Sequence, residues 1–141
     1  MSINNVPPSD RRRPLRVLLV DDSPFSRGFH KVVLAAAGYD CSEAANGADA
    51  LDQIIGESID LVVTDLEMPV LDGFKLLAAL SLLPKKRRPA AIVISAEIDA
   101  EAVNRWPTLR LAHGLLSKPA DPRALLELAA SAPALKTPFE C

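Results

Sequence analysis

Five short apolar runs, each separated from the next by a longer stretch with helical spacing, constrain this chain more than any other feature of it. The runs are Leu15 to Val20, Tyr39 to Ala44, Leu61 to Thr64, Ala90 to Ser95 and Gly114 to Ser117. Four are almost continuously apolar, as parallel strands covered on both faces must be. Tyr39 to Ala44 is more polar and suits a sheet edge.

The segments between the runs carry helix punctuation. Ser23 is placed to cap a helix with Pro24 at its first position, Gly38 past its end, and Phe25, Phe29, Val32, Val33 and Ala36 on one face. A second helix begins near Asn46, presents Ala48, Leu51 and Ile55, and ends near Gly56. A third begins near Asp72, presents Phe74, Leu77 and Leu80, and ends before Pro84. A fourth can start at Asp99, but Pro107 must stop or bend it, because an internal proline lacks a donor and clashes with the preceding turn. Asp121 and Pro122 open a fifth, which buries Leu125, Leu126 and Leu128.

A βα unit repeated five times predicts an α/β fold: a doubly wound five-stranded parallel sheet in the flavodoxin-like order 2-1-3-4-5, with helices on both faces. In that order strands 1 and 3 are neighbours, and ligands bind outside the carboxyl ends of the strands where the winding reverses.

A length of 141 residues suits one such domain and not two. Residues 1–13, with Pro7, Pro8 and three arginines, are expected to form a flexible basic arm. Residues 14–132 are expected to form the domain and 133–141 a tail, since Pro133 and Pro138 interrupt helical spacing and leave no room for an output domain. A net charge of -2 gives no bulk attraction to nucleic acid. Cys41 and Cys141 form neither a zinc motif nor a disulfide framework, which fits the reducing cytoplasm. The apolar runs fall well short of the ~20 residues a spanning helix needs, and Asp21 and Asp22 interrupt the first too early for a signal peptide.

The polar residues at the strand ends carry the chemistry. Asp21 and Asp22 follow the first run, Asp65 the third and Lys118 the fifth, while Ser95 ends the fourth, so all five converge on one edge of the expected sheet. Three carboxylates held together repel one another unless a cation neutralises them. Oxygen ligands without histidine or thiolate favour a hard ion, Mg²⁺ first and Mn²⁺ as a substitute. A carboxylate beside such an ion can attack phosphorus and form an aspartyl phosphate. Transfer through a loose transition state then needs mainly alignment and charge neutralisation. The Lys118 ammonium and the Ser95 hydroxyl can supply part of both. The turn residues Met68, Pro69 and Gly73 shape the loop after Asp65, and the basic run Lys85 to Arg88 reads as a solvated loop. His30 and His113 lack acidic or cysteine neighbours at ligand spacing.

VDD at 20–22, DLEMPVLDG at 65–73, Ser95 after AIVI, and KP at 118–119 together resemble the receiver domain of two-component response regulators. The resemblance implies that Asp65 is phosphorylated by a histidine kinase or a histidine phosphotransfer protein. It implies that Asp22 ligates Mg²⁺ directly, Asp21 through water or a hydrogen bond, and Glu67 through its backbone carbonyl. Lys118 pairs with the phosphoryl oxygens, Ser95 reports phosphorylation, and Pro119 follows a cis peptide bond. Output is then phosphorylation-dependent binding of a downstream protein, without direct contact to nucleic acid, and the only catalysis is of the domain's own phosphorylation and dephosphorylation.

Two departures stand out. Receivers usually carry an aromatic residue three positions before the lysine, where this chain has Leu115, and Trp106 and Pro107 disturb the helix before it. A pure docking module that ignores phosphorylation is one alternative reading, which the intact Asp65, Ser95 and Lys118 set opposes. A metal-dependent phosphohydrolase is another, with Glu67 two positions after the nucleophile, but this length leaves no cap domain or substrate pocket.

Overall fold

The computed structural model describes residues 13–136, with the elements β1 (Arg16–Val20), α1 (Pro24–Ala36), β2 (Asp40–Ala44), α2 (Gly47–Gly56), β3 (Leu61–Thr64), α3 (Gly73–Ser81), β4 (Ala90–Ser95), α4 (Ala102–Arg105), β5 (Gly114–Ser117) and α5 (Pro122–Lys136). Short 3₁₀ turns cover Lys85–Arg87 and Pro107–Leu111. The strands form one parallel sheet in the order β2-β1-β3-β4-β5, as the alternation predicts.

Alternation of side chains along each strand builds two cores. Leu18, Val20, Val62, Ala91 and Val93 face α2, α3 and Leu109, while Val17, Leu19, Leu61, Val63, Ile92 and Ile94 face α1 and α5. The predicted caps are present: Ser23 accepts from the N–H of Ser26, Asn46 from Asp49, Asp72 from Lys75 and Asp121 from Ala124. Gly38, just past α1, has φ 100°, a backbone region that favours glycine.

Three expectations need correction. The stripe Phe25, Phe29 and Val32 points outward, with Phe25 87% exposed; α1 instead buries His30 and Leu34. The face of α2 is likewise offset, burying Gly47, Ala50 and Ile54 and leaving Ile55 exposed. Apolar periodicity gave the helices their period but not their phase, because both carry apolar residues on two adjoining faces. Third, α5 runs through Pro133 to Lys136. A proline costs a helix one donor and crowds the turn before it, and here it falls in the last turn, with Ala132 beside it fully buried.

Of the expected arm only Arg13 is described, and its guanidinium meets Asp60 through two hydrogen bonds, of 3.0 and 3.3 Å. The fourth helix is as short as Pro107 implies. Its turn opens at Asp99, whose carboxylate accepts from the N–H of Glu101, and the helix itself spans only Ala102–Arg105 before Pro107 starts the 3₁₀ turn. Among the described residues no helix is long and apolar enough to cross a membrane.

Candidate functional site

Strand order brings the acids together. β1 and β3 are adjacent, and their carboxyl ends release Asp21, Asp22 and Asp65 into one pocket, where the three carboxylates each offer an oxygen within 4.8 Å of the others. Asp21 is buried, Asp22 exposed and Asp65 between the two. The Asp65 Oδ1 atom accepts from the N–H of Leu66 at 2.7 Å, and Asp21 Oδ1 accepts from the N–H of Ser23 at 2.9 Å.

Lys118 enters from the end of β5. Its ammonium donates to Asp65 Oδ2 at 2.8 Å and to Asp21 Oδ2 at 2.9 Å. Burial alone would lower the pKa of this lysine. Hydrogen bonds to Asp65 and Asp21, with their negative charges, more than offset that and hold it above its ordinary value. The Lys118–Pro119 peptide is cis.

Ser95 ends β4 and is almost fully buried. Its Oγ accepts from the N–H of Glu97 at 3.2 Å, so the hydroxyl proton is still available to a newly arrived oxygen. Glu67 lies in the exposed loop after Asp65. That loop is pinned twice: Gly73 donates to the carbonyl of Leu66 at 2.9 Å, and Gly47 to that of Leu71 at 2.9 Å. A Cβ at Gly73 would collide with the carbonyl oxygen of Asp65, which leaves glycine as the residue that fits there. In the same loop Val70 has φ 70°, uncommon for a β-branched residue, and its flanking N–H of Leu71 donates to the carbonyl of Pro69.

The sequence reading passed over Arg27 and gave His30 no role. Arg27 donates to the backbone carbonyl of Asp21 at 2.6 Å and to Glu43 at 2.7 Å; Lys31 also meets Glu43, at 2.9 Å, and these two hydrogen bonds hold Glu43 below the usual carboxylate range. His30 is buried behind the acids. Its Nε2 is the one buried side-chain polar atom among the described residues without a hydrogen-bond partner. Desolvation lowers its pKa, with Asp21 opposing. The signal for both was available: positions 23, 27, 30 and 34 share one helical face.

This arrangement has known counterparts. Residues 17–130 match the family model described as response regulator receiver domain, and the chain belongs to that family. Similar curated proteins include the gliding motility regulatory protein of Myxococcus xanthus, 38% identical over 91 residues, which are 64% of this chain and 12% of that protein. The sensor histidine kinase RcsC of Salmonella typhimurium is 37% identical over 68 residues, 48% of this chain and 7% of that one. This chain thus spans only a small part of the length of these relatives. Among solved structures, the response regulator TrrA of Thermotoga maritima in complex with Mg²⁺ and BeF superposes with a TM-score of 0.73 at 27% identity, covering 84% of this chain and 98% of that one. Receiver domains are signalling phosphoacceptors, phosphorylated on an aspartate by sensor histidine kinases, and they bind Mg²⁺ at an acidic pocket.

Proposed function

We propose that this protein is a response regulator in whose receiver domain Asp65 takes a phosphoryl group from the phosphohistidine of a kinase or phosphotransfer protein. The observation that carries this reading is the Lys118 ammonium held between Asp65 and Asp21 at the point where the sheet reverses its winding. In the transfer, an Asp65 oxygen forms the new P–O bond while the P–N bond to the donor imidazole breaks, its electron pair leaving with the ring nitrogen. Lys118 neutralises charge on the phosphoryl oxygens. Ser95 donates its free hydroxyl proton to one of them.

Three carboxylates offering oxygens within 4.8 Å of one another fit a hard divalent cation. Asp21, Asp22 and Asp65 with the Glu67 carbonyl would hold Mg²⁺, which would supply the remaining neutralisation of the phosphoryl group. Nothing in the donor set selects Mn²⁺ over it. The donor protein has a docking place beside the nucleophile: Phe25, Phe29 and Pro119 line an apolar groove of about 450 Å³ that reaches Lys118. Output is the binding of a downstream protein. Cys41, outside any disulfide among the described residues, fits residence in the cytoplasm.

The test is incubation with Mg²⁺ and acetyl phosphate or a phosphoramidate, followed by intact mass. One added phosphoryl group is expected in wild type and none in Asp65→Asn. Stoichiometric labelling of a folded Asp65→Asn variant would reject the assignment.

A further inference from the structure

The sheet has a second built edge. At the amino-terminal ends of β4 and β5, opposite the acids, lies a cavity of about 330 Å³ between α3 and the 3₁₀ turn that precedes β5. Its apolar walls include Leu77, Leu80 and Leu111. Its polar lining comes from two distant stretches of chain, Lys85 and Arg88 from the turn after α3, Arg110 and His113 from the segment before β5. No carboxylate lines it, in a chain whose acids outnumber its bases, 18 to 16.

The cationic groups are not equivalent. Arg88 is fixed: its guanidinium donates to the carbonyls of Ser81 and Leu83, and so closes the end of α3. The His113 Nδ1 atom accepts from the N–H of Ala91 at 3.1 Å, which leaves the ring's proton on Nε2 as a donor. The side chains of Lys85 and Arg110, by contrast, make no hydrogen bond or ion pair among the described residues. Two cations without a protein partner among those residues thus line one concave, partly apolar surface, where an entering anion can meet both. A merely solvated basic loop, the reading that the sequence of residues 85–88 favoured, needs neither the concavity nor the contribution of Arg110 from across the chain.

We infer that this cavity is a binding site for a small organic anion, with a phosphate or carboxylate group held between Lys85 and Arg110 and a flat apolar body laid against Leu77, Leu80 and Leu111. Its volume falls in the range of small-molecule sites, and arginine and lysine are the usual partners of such oxyanions. The site is separate from Asp65 and stands or falls independently of phosphoryl transfer.

The probe is 8-anilinonaphthalene-1-sulfonate, which joins an anionic group to flat rings, titrated by fluorescence into the full chain. Binding should weaken at least tenfold in Lys85→Glu/Arg110→Glu, be unchanged in Phe25→Ser, which disrupts the separate groove near Lys118, and fall with added salt. The uncharged analogue N-phenyl-1-naphthylamine should bind far more weakly. Competition by inorganic phosphate against acetate then tells which oxyanion the cations prefer. Both reversed positions are exposed, so the variant should fold, and circular dichroism checks that it does. Wild-type affinity in the folded double variant, loss of binding in Phe25→Ser, or equal binding of the uncharged analogue overturns the site.

Discussion

The Cα of Gly73 packs so tightly against Asp65 that a methyl group on it would overlap the Asp65 carbonyl oxygen and come within 2.8 Å of the Leu66 Cα. The obstructing atoms are backbone and cannot rotate away. Gly73→Ala should therefore push α3 off the end of β3, costing about 1–3 kcal/mol as other overpacking changes do. Urea unfolding measures the loss, and phosphoryl uptake from acetyl phosphate should slow as well, because Asp65 moves with its carbonyl.

Among the described residues Lys118 is the only cation paired with both Asp21 and Asp65. Lys118→Met leaves two facing carboxylates uncompensated and should destabilise the metal-free protein by about 1–3 kcal/mol, toward the low end because the lysine keeps some solvent exposure. Mg²⁺ should restore more stability to this variant than to wild type, while phosphoryl uptake falls at least about tenfold. Thermal melts with and without Mg²⁺ give the first result and intact-mass time courses the second.

His30 predicts a pH effect. Its folded pKa lies below the ordinary 6.5, so the unfolded chain binds the proton more readily and protonation favours unfolding. Stability should fall as pH drops from about 7 through 6.5 toward 5, with a contribution of at most about 1.4 kcal/mol per pH unit from this group. His30→Leu should flatten that slope and stabilise the fold at pH 5.5, since it replaces an unpartnered buried polar group with an apolar one. An unchanged slope in chemical denaturation between pH 5 and 7 would count against a desolvated neutral imidazole.

Val70 is 80% exposed, so its side chain gains little from burial while its backbone sits at φ 70°. Val70→Gly should raise stability by about 1 kcal/mol, the strain of a left-handed β-branched residue outweighing the extra chain entropy of glycine. A lower urea midpoint in that variant would show the loop to be relaxed.

Trp106 packs against Phe74, with ring centroids 5.5 Å apart, and lies under the Arg105 guanidinium at 4.7 Å. It also shares a cluster with Leu115, the residue at the usual aromatic position. With α4 a single turn, this segment has few helical hydrogen bonds to hold it. Beryllofluoride with Mg²⁺ should change tryptophan emission in wild type and much less in Ser95→Ala. Hydrogen exchange that left residues 99–117 indifferent to the mimic would move the output face elsewhere.

The strand order and the meeting of Asp21, Asp22, Asp65 and Lys118 were legible in the sequence, because each acid or base directly follows an apolar run and parallel winding fixes which ends share an edge. Helix caps were legible for the same local reason: Ser23, Asn46, Asp72 and Asp121 each bond three residues ahead. What spacing could not give was helix rotation. Phe25 and Phe29 are the obvious core candidates of α1, yet the sheet receives His30 and Leu34, a choice set by tertiary packing. The basic cavity was equally hidden, since Arg110 and Lys85 stand 25 positions apart and come to line one cavity only once α3 and β5 are in place.

The two halves of the Lys118–Asp65 pair ride on strands of unequal security. β3, which carries Asp65, is laddered on both sides, by β1 and by β4; β5, which delivers Lys118, is an edge strand laddered by β4 alone. On the proposed function, a phosphoryl group arriving on Asp65 should therefore be felt chiefly at the edge strand that carries Lys118. In that reading the signal would pass outward from the middle of the sheet to its rim through Lys118 itself, without an aromatic relay at position 115.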